Sequence, residues 1–161
     1  MRKVIGFFGV ARSGKSTASH YAAEWFRKRG HSAQVRSFAG PLKKGLAQMG
    51  IEKDTHPDLY RKAAQLVGTD LCRAEDPDWW VNQMHRAIND TPGDSIIFID
   101  DCRFKNEFNL LRAINGDLIF IRAGNRIDIT QPMYEHASED IAVEFESFWE
   151  ATSSGRTLGV P

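Results

Sequence analysis

The chain has 161 residues, and its 21 basic side chains balance its 21 acidic ones. That length suffices for one compact domain, while the neutral charge excludes a global field favouring nucleic acid or an anionic membrane. No apolar run approaches the roughly 18 to 20 residues of a membrane helix, and two cysteines without metal-ligand spacing, Cys72 and Cys102, indicate free thiols in a soluble, cytoplasmic protein.

The first predicted elements are a strand and a helix joined by a glycine-rich loop. Val4 to Phe8 is a continuous apolar run, as expected for a strand buried on both faces of a parallel sheet. The loop, GVARSGKST at residues 9 to 17, fits the pattern G-x-x-x-x-G-K-[ST]. From Lys15 to Arg29 apolar residues recur at helical spacing, and Gly30 stands where a glycine ends a helix.

The spacing within this loop suits a polyphosphate. Such a loop must point backbone N–H groups inward, and Gly9 and Gly14 supply the conformational freedom. Lys15 would place its charge between the β- and γ-phosphates, and Ser16 would offer its hydroxyl to Mg²⁺. The alternative is an ordinary glycine-rich turn. We expect ATP or GTP to contact Gly9, Ala11, Arg12, Ser13, Gly14, Lys15, Ser16 and Thr17.

The rest of the chain continues the alternation of strands and helices. Further strands are predicted at Ala33 to Phe38, Ser95 to Ile99 and Leu118 to Ile121, with a fifth near Ser147 to Ala151. Further helices are predicted from Pro41 to Met49, Leu59 to Val67, Asp76 to Ile88 and Phe104 to Ile114. This order indicates an α/β fold, a three-layer α/β/α arrangement around a parallel sheet of four to five strands.

Ligands of such a sheet gather at the carboxyl ends of its strands. The phosphate loop, Ser37 to Lys44 and Asp100 to Arg103 all follow predicted strands, so we expect them to meet in one crevice. Carboxylates at a strand end that faces a phosphate loop are suited to Mg²⁺ or its waters, which makes Asp100 and Asp101 candidates.

Six sequence blocks together resemble the deoxynucleoside monophosphate kinases of bacteriophages, a branch of the P-loop nucleoside monophosphate kinases. Their order and spacing agree with that family along nearly the whole chain. The blocks are GVARSGKST, SFAGPLKKGL at 37 to 46, RKAAQLVGTDLCR at 61 to 73, WWVNQ at 79 to 83, DDCRFKNE at 100 to 107 and HASE at 136 to 139.

The resemblance implies an adenylate-kinase-like core in one domain spanning residues 1 to 161. ATP and Mg²⁺ would bind at the phosphate loop, acceptor-binding helices would span about 41 to 90, and a lid would span about 122 to 136. The residues that it implies for the acceptor nucleotide are Phe38, Lys43, Arg61, Gln65, Arg73, Trp80, Asp101, Arg103 and His136. The residues that it implies for catalytic charge are Lys15, Arg103, Arg122 and Arg126.

Some of these positions keep two interpretations. The family has one aspartate followed by valine where this chain has Asp100, Asp101 and Cys102; Asp101 aligns with it, so Ser16 and Asp101 are the expected metal ligands. For Trp80, as for its neighbour Trp79, core packing competes with stacking on a base. His136 contacts a phosphate or lid in one interpretation and is a structural hydrogen-bonding residue in the other.

The function expected from these residues is transfer of the γ-phosphate of ATP to a deoxynucleoside monophosphate, giving a diphosphate and ADP. One alternative is a P-loop kinase with another small acceptor, such as dephospho-coenzyme A, and another is a nucleotide-dependent switch or binding module. Small nucleotides are the expected partners, without nucleic acid or membrane. Base preference, ATP against GTP, and homodimer formation stay open.

Overall fold

Strands and helices alternate along the chain in the computed structural model, which describes residues 2–122, 128–135 and 139–153. The strands are β1 (Lys3–Phe8), β2 (Ala33–Arg36), β3 (Ile96–Cys102) and β4 (Asp117–Phe120). The helices are α1 (Lys15–Arg27), α2 (Gly40–Gln48), α3 (Pro57–Gln65), α4 (Cys72–Glu75), α5 (Trp79–Asn89), α6 (Lys105–Ala113) and α7 (Asp140–Ser153). A π-helical segment, Leu66–Leu71, joins α3 to α4, and a 3₁₀ turn covers Pro132–Tyr134.

The four strands form one parallel sheet in the order β2-β3-β1-β4. The two central strands, β1 and β3, are buried along most of their length, because their apolar residues face helices on both sides. The parallel sheet flanked by helices confirms the predicted α/β fold and has the three-layer arrangement of P-loop kinases. Within the described residues, no helix combines the length and the hydropathy that crossing a bilayer demands.

The core lies on both faces of the sheet. On one face α1 packs Ala23 against Phe7 and Phe98. On the other face the larger cluster draws its buried side chains from strands and from α2, α5 and α6, and it includes Val4, Ile97, Leu46, Met84, Ile88 and Leu111. Cys102 is buried in this cluster, and both Cys72 and Cys102 are free thiols, as predicted.

Parallel pairing sets the carboxyl ends of β1, β2 and β3 at the same edge of the sheet. The loop after β1, the loop after β2 and the end of β3 therefore meet there, as expected for the ligand-binding edge of an open α/β sheet.

One predicted strand is wrong. Residues 147 to 151 belong to α7 and not to a fifth strand. Buried Ala142 and Glu146 are four residues apart, which is the spacing of one helix face, and a five-residue window is too short to separate that period from a strand.

Several element boundaries also differ from the sequence prediction; the second strand, for example, ends at Arg36 and not at Phe38. The helix predicted from Asp76 begins only at Trp79. Residues 76 to 79 form a turn before the helix, in which the carbonyl of Asp76 accepts a hydrogen bond from Trp79 N–H (3.0 Å). The helix predicted through Val67 changes to π-helix at Leu66. The third strand continues through Asp100 and Cys102 and does not end at Ile99.

Candidate active site

Two glycines shape the loop between β1 and α1. Gly9 has a φ of +149° and Gly14 a φ of +105°, both in the region that L side chains rarely adopt. A Cβ on Gly9 would lie 2.3 Å from the carbonyl oxygen of Ile121, because the loop passes directly against the residue after β4. Gly14 has open space at its Cβ position, so only its backbone conformation requires glycine.

The amino-terminal end of α1 is available to an anion. Its first turn holds no acidic residue, and among the described residues no side chain caps it. The first four N–H groups of a helix lack acceptors within the helix, and the helix dipole adds partial positive charge at that end. Gly14, Lys15, Ser16 and Thr17 all line the cavity described below. These residues therefore fit the phosphate groups of a nucleotide.

Lys15 holds a buried cation beside this helix end. The residue is 6% exposed, and its Nζ donates hydrogen bonds of 2.7 Å to the carbonyls of Gly9 and Val10. Burial, together with the nearby positive charge of Arg103, lowers the pKa of Lys15 from 10.5 to about 8. The carboxylates of Glu139, Asp101 and Asp100 act in the opposite direction.

Asp101 fixes the loop between β2 and α2. Its Oδ1 accepts a hydrogen bond from Phe38 N–H at 2.7 Å, and its Oδ2 accepts one from Ala39 N–H at 3.1 Å. Lys43 Nζ lies 3.3 Å from the same Oδ2. Both carboxylate oxygens thus hold protein donors, which ties the start of α2 to the end of β3.

Asp100 makes fewer such contacts. Its Oδ1 accepts a hydrogen bond of 2.5 Å from Ser37 Oγ, and the residue is 6% exposed at the cavity wall. The described residues contain no group of three or more His, Cys, Asp or Glu side chains that could hold a metal by themselves. A Mg²⁺ ion that keeps waters and nucleotide phosphates as ligands needs only one or two protein oxygens, and Ser16 and Asp100 line the same cavity.

Glu107 is the centre of a buried polar cluster between α4 and α6. Its Oε1 is ion-paired with Arg73, and its Oε2 accepts hydrogen bonds from the N–H groups of Arg103 (2.7 Å) and Phe104 (3.1 Å). The Arg73 guanidinium also lies over the Phe104 ring, 3.9 Å from its centroid. Burial, with a contribution from Asp101, raises the pKa of Glu107 from 4.5 to about 7, although Arg73 opposes that shift.

Glu139 makes a second buried link, from the start of α7 to the phosphate loop. The residue is 3% exposed, and its Oε2 accepts a hydrogen bond of 2.7 Å from Ala11 N–H. Its Oε1 is ion-paired with Nη1 of Arg103, which follows β3. One carboxylate therefore joins parts of the chain that are 128 and 36 residues away in sequence.

A single cavity of about 760 Å³ collects these groups. Its walls come from the phosphate loop, the loop after β2, helices α2 and α3, the π-helical segment and the end of β3. The basic residues that line it are Arg12, Lys15, Lys43, Lys53, Arg61, Arg73 and Arg103, and the acidic ones are Asp58, Asp100, Asp101, Glu107 and Glu139. Polyanionic ligands suit such a wall because the basic groups outnumber the acidic ones.

Comparison with known proteins agrees with this geometry. The chain matches no protein-family profile. It is 30% identical, over 80% of its own length and 79% of the relative's, to a protein of Acanthamoeba polyphaga mimivirus named "Putative deoxynucleotide monophosphate kinase". The chain belongs to the deoxynucleotide monophosphate kinase family. The bacteriophage branch of that family stays a prediction.

The cavity of this family member brings together most of the residues that the sequence singled out. Fifteen of them line it, on five different parts of the chain. They are Ala11, Arg12, Gly14, Lys15, Ser16, Thr17, Phe38, Lys43, Arg61, Gln65, Arg73, Trp80, Asp100, Asp101 and Arg103.

Two of these cavity residues belong mainly to the core. Phe38 is 2% exposed and Trp80 5% exposed, and the indole N–H of Trp80 donates a hydrogen bond of 2.8 Å to the carbonyl of Gly68. Of the two interpretations given for these tryptophans, packing holds for Trp80. Its neighbour Trp79 is 41% exposed and lines a separate, smaller cavity with Val67 and Cys72.

Other predicted residues lie elsewhere. Gly9 and Ser13 shape the loop without lining the cavity, and Arg122 lies 3.4 Å from the buried carboxylate of Glu146 in α7. Arg126 and His136 lie outside the described residues, as do residues 123 to 127 of the lid predicted at 122 to 136. Their roles stay predictions.

Sequence reasoning missed the two buried glutamates. Glu107 and Glu139 end two of the blocks that carry the family resemblance, DDCRFKNE and HASE, so the signal was present. Nothing in those blocks shows that each glutamate pairs with an arginine of the cavity, because both pairs join segments more than 30 residues apart.

Proposed function

We propose that this chain transfers the γ-phosphate of ATP to a deoxynucleoside monophosphate, giving a deoxynucleoside diphosphate and ADP. The carrying observation is the continuous cavity that joins the amino-terminal end of α1 to the helices after β2. Its volume of about 760 Å³ lies within the range of about 300–1,000 Å³ for ligand sites, toward the upper end. A donor and an acceptor could therefore approach each other without leaving the protein.

The donor end would be the phosphate loop. Lys15 and the N–H groups at the start of α1 supply positive charge there, and the exposed Ser16 hydroxyl lies in the first turn of α1. These groups would hold the β- and γ-phosphates and keep the terminal phosphate directed into the cavity.

The acceptor end would be formed by α2, α3 and the π-helical segment. Arg61 and Gln65 are four residues apart, on one face of α3, and both line the cavity together with Tyr60. A guanidinium suits a monophosphate, an amide suits the edge of a base, and a tyrosine ring offers a stacking surface.

The chemistry requires charge and alignment more than proton transfer. An acceptor phosphate oxygen is already largely ionised at neutral pH, since its second pKa is about 6, so no general base is needed. Lys15 and Arg103 line the same cavity, where they would neutralise the charge that spreads over the transferring group.

Mg²⁺, when bound, would supply charge that offsets part of the negative charge on the phosphates. Ser16 and one aspartate would hold it. The two carboxylate oxygens of Asp101 already accept hydrogen bonds from backbone N–H groups, so Asp100 is the better candidate ligand although Asp101 aligns with the family position.

The test is ADP formation from Mg·ATP, first without acceptor and then with each common ribo- and deoxyribonucleoside monophosphate. Stimulation by a subset of deoxynucleotides is expected. Stimulation only by another small acceptor, such as dephospho-coenzyme A, would contradict the proposed substrate class. Equal, slow loss of ATP in every reaction would contradict transfer itself and favour a nucleotide-dependent switch.

A further inference from the structure

Glu139 lies where three parts of the cavity wall meet. Its carboxylate accepts a hydrogen bond from Ala11 in the phosphate loop and pairs with Arg103 after β3. Its backbone carbonyl accepts a hydrogen bond of 2.9 Å from the N–H of Val143, in the first turn of α7. Neither the proposed nucleotide binding by the loop nor the proposed acceptor site explains why a carboxylate is buried among groups that would bind phosphates.

We propose that Glu139 is a positioning residue that holds the guanidinium of Arg103 against the phosphate loop, opposite Lys15, so that the two cations flank the transferring phosphate. This inference rests on the proposed function. Glu139 then has a task in transfer and not only in folding.

The exposures of the two partners indicate which one fixes the other. The side chain of Glu139 is 4% exposed, whereas that of Arg103 is 33% exposed and lines the cavity. Glu139 is held by a backbone N–H of the loop and by the helix that begins beside it, so it has one location. The longer arginine side chain takes its position from that anchor, and both residues line the cavity with Lys15.

Charge gives a second reason for a carboxylate here. Arg103 lowers the pKa of Lys15, and Glu139 is foremost among the carboxylates that raise it. Two cations held beside one phosphate site repel each other, and a buried anion between the loop and Arg103 offsets that repulsion. Glutamine at position 139 could still accept the hydrogen bond from Ala11 but would not hold the guanidinium by charge.

A double-mutant cycle on the transfer rate separates positioning from structural support. Arg103→Ala should lower kcat by about 100-fold or more, as loss of one charge-stabilising donor does. Glu139→Gln should lower kcat by about 10- to 100-fold, the size expected when a catalytic group is misplaced by about an ångström. Because Glu139 acts through Arg103, the double variant should be no slower than Arg103→Ala alone.

Two results would contradict this role of Glu139. If the two losses multiply in the double variant, Glu139 does not act through Arg103 and the proposal is wrong. Unchanged kcat in folded Glu139→Gln would overturn it too. Glu139→Asp, which keeps the charge on a shorter side chain, should recover part of the lost rate, a recovery that mere support of the loop does not predict.

Glu146→Gln provides the matched control. Glu146 is also buried in α7 and paired with an arginine, but its partner is Arg122, away from the cavity lining. Whatever Glu146→Gln does to kcat should multiply with the effect of Arg103→Ala, because the two pairs share no residue.

Failure of the proposed function would be visible before the cycle is begun. A wild-type protein whose ATP turnover no monophosphate stimulates contradicts the kinase proposal and leaves the pair testable by calorimetry with a non-hydrolysable analogue of Mg·ATP. The dissociation constants of the same four proteins should then show the same non-additivity, and multiplied losses of affinity would overturn the role of Glu139.

Discussion

Lys15 carries its charge at a place that water scarcely reaches. Burial brings its pKa to about 8, and carbonyls of its own loop accept its hydrogen bonds. With that pKa most Lys15 side chains are protonated at neutral pH, and nearby carboxylates favour the charged form. The motif predicts this lysine from sequence, but its pKa also depends on the charges of Arg103 and Glu139, which lie far away along the chain.

Replacing Lys15 by alanine should lower kcat by at least about 100-fold, because one of the cations proposed to stabilise the transferring phosphate is lost. Circular dichroism and thermal melting should show a folded protein, since removing a buried charge does not remove apolar contacts. Lys28→Ala is the control directly after the same helix, where the lysine is exposed and pairs with Glu24. Near-wild-type turnover in a folded Lys15→Ala protein would remove Lys15 from the donor site.

Arg61 and Arg73 line the same cavity, and their substitutions should have different effects. Arg61 is exposed on α3, so Arg61→Ala should raise the acceptor KM with little change in melting temperature. Arg73→Ala leaves the buried Glu107 without its ion-pair partner and should lower the free energy of unfolding by about 3 kcal/mol. Urea unfolding measures the stability of each variant, and acceptor titrations measure its KM. Equal stability of the two variants would contradict the structural role of Arg73.

The phosphate loop shows how well a short element can be predicted from sequence alone. Glycine spacing, the strand before it and the helix after it predict the phosphate loop, because each requirement is local. The π-helical segment after α3 is not predictable in this way. It brings the carbonyl of Gly68 to Trp80 and presses Gly68 against Leu42, where a Cβ would lie 2.9 Å from Cδ2. Those contacts are tertiary.

Gly9→Ala tests the conformation of the phosphate loop, and Gly45→Ala in α2 is its comparison. Gly9→Ala should lower the free energy of unfolding by about 2 kcal/mol or more, because it combines a φ of +149° with a 2.3 Å approach to the Ile121 carbonyl. Gly45→Ala, in the interior of α2 with open space around it, should raise stability by about 0.5–1 kcal/mol. Denaturant unfolding gives both values, and a Gly9→Ala protein as stable as wild type would refute the close approach of loop and β4.

For the whole molecule, the sequence predicts the layers of strands and helices better than the strand order and the contacts between distant segments. Alternation of strands and helices is enough for a parallel sheet and for the edge where ligands bind. The order β2-β3-β1-β4 and the links made by Glu107 and Glu139 follow from packing between distant segments, which a single sequence does not display. The misassigned strand at 147 to 151 has the same origin, since α7 is recognisable by the residues it buries.

The stability of the whole fold should depend on pH through Glu107. Because the pKa of Glu107 is raised from 4.5 to about 7, the folded protein binds a proton that the unfolded chain releases between those values. That contribution is fully present below about 4.5 and is lost as pH rises through about 7. Wild type should therefore lose at least about 1 kcal/mol relative to Glu107→Gln between pH 5 and pH 8 in urea unfolding. Parallel pH profiles of the two proteins would contradict the raised pKa.

The most direct measurement follows the phosphate itself. ATP labelled in its γ-phosphate is incubated with Mg²⁺, the protein and a deoxynucleoside monophosphate, and the labelled products are separated. We predict label in the deoxynucleoside diphosphate, in amounts equal to the ADP formed, with transfer by Lys15→Ala slower by at least about 100-fold. Label that appears only as inorganic phosphate, at a rate that the monophosphate does not change, would contradict phosphoryl transfer between nucleotides.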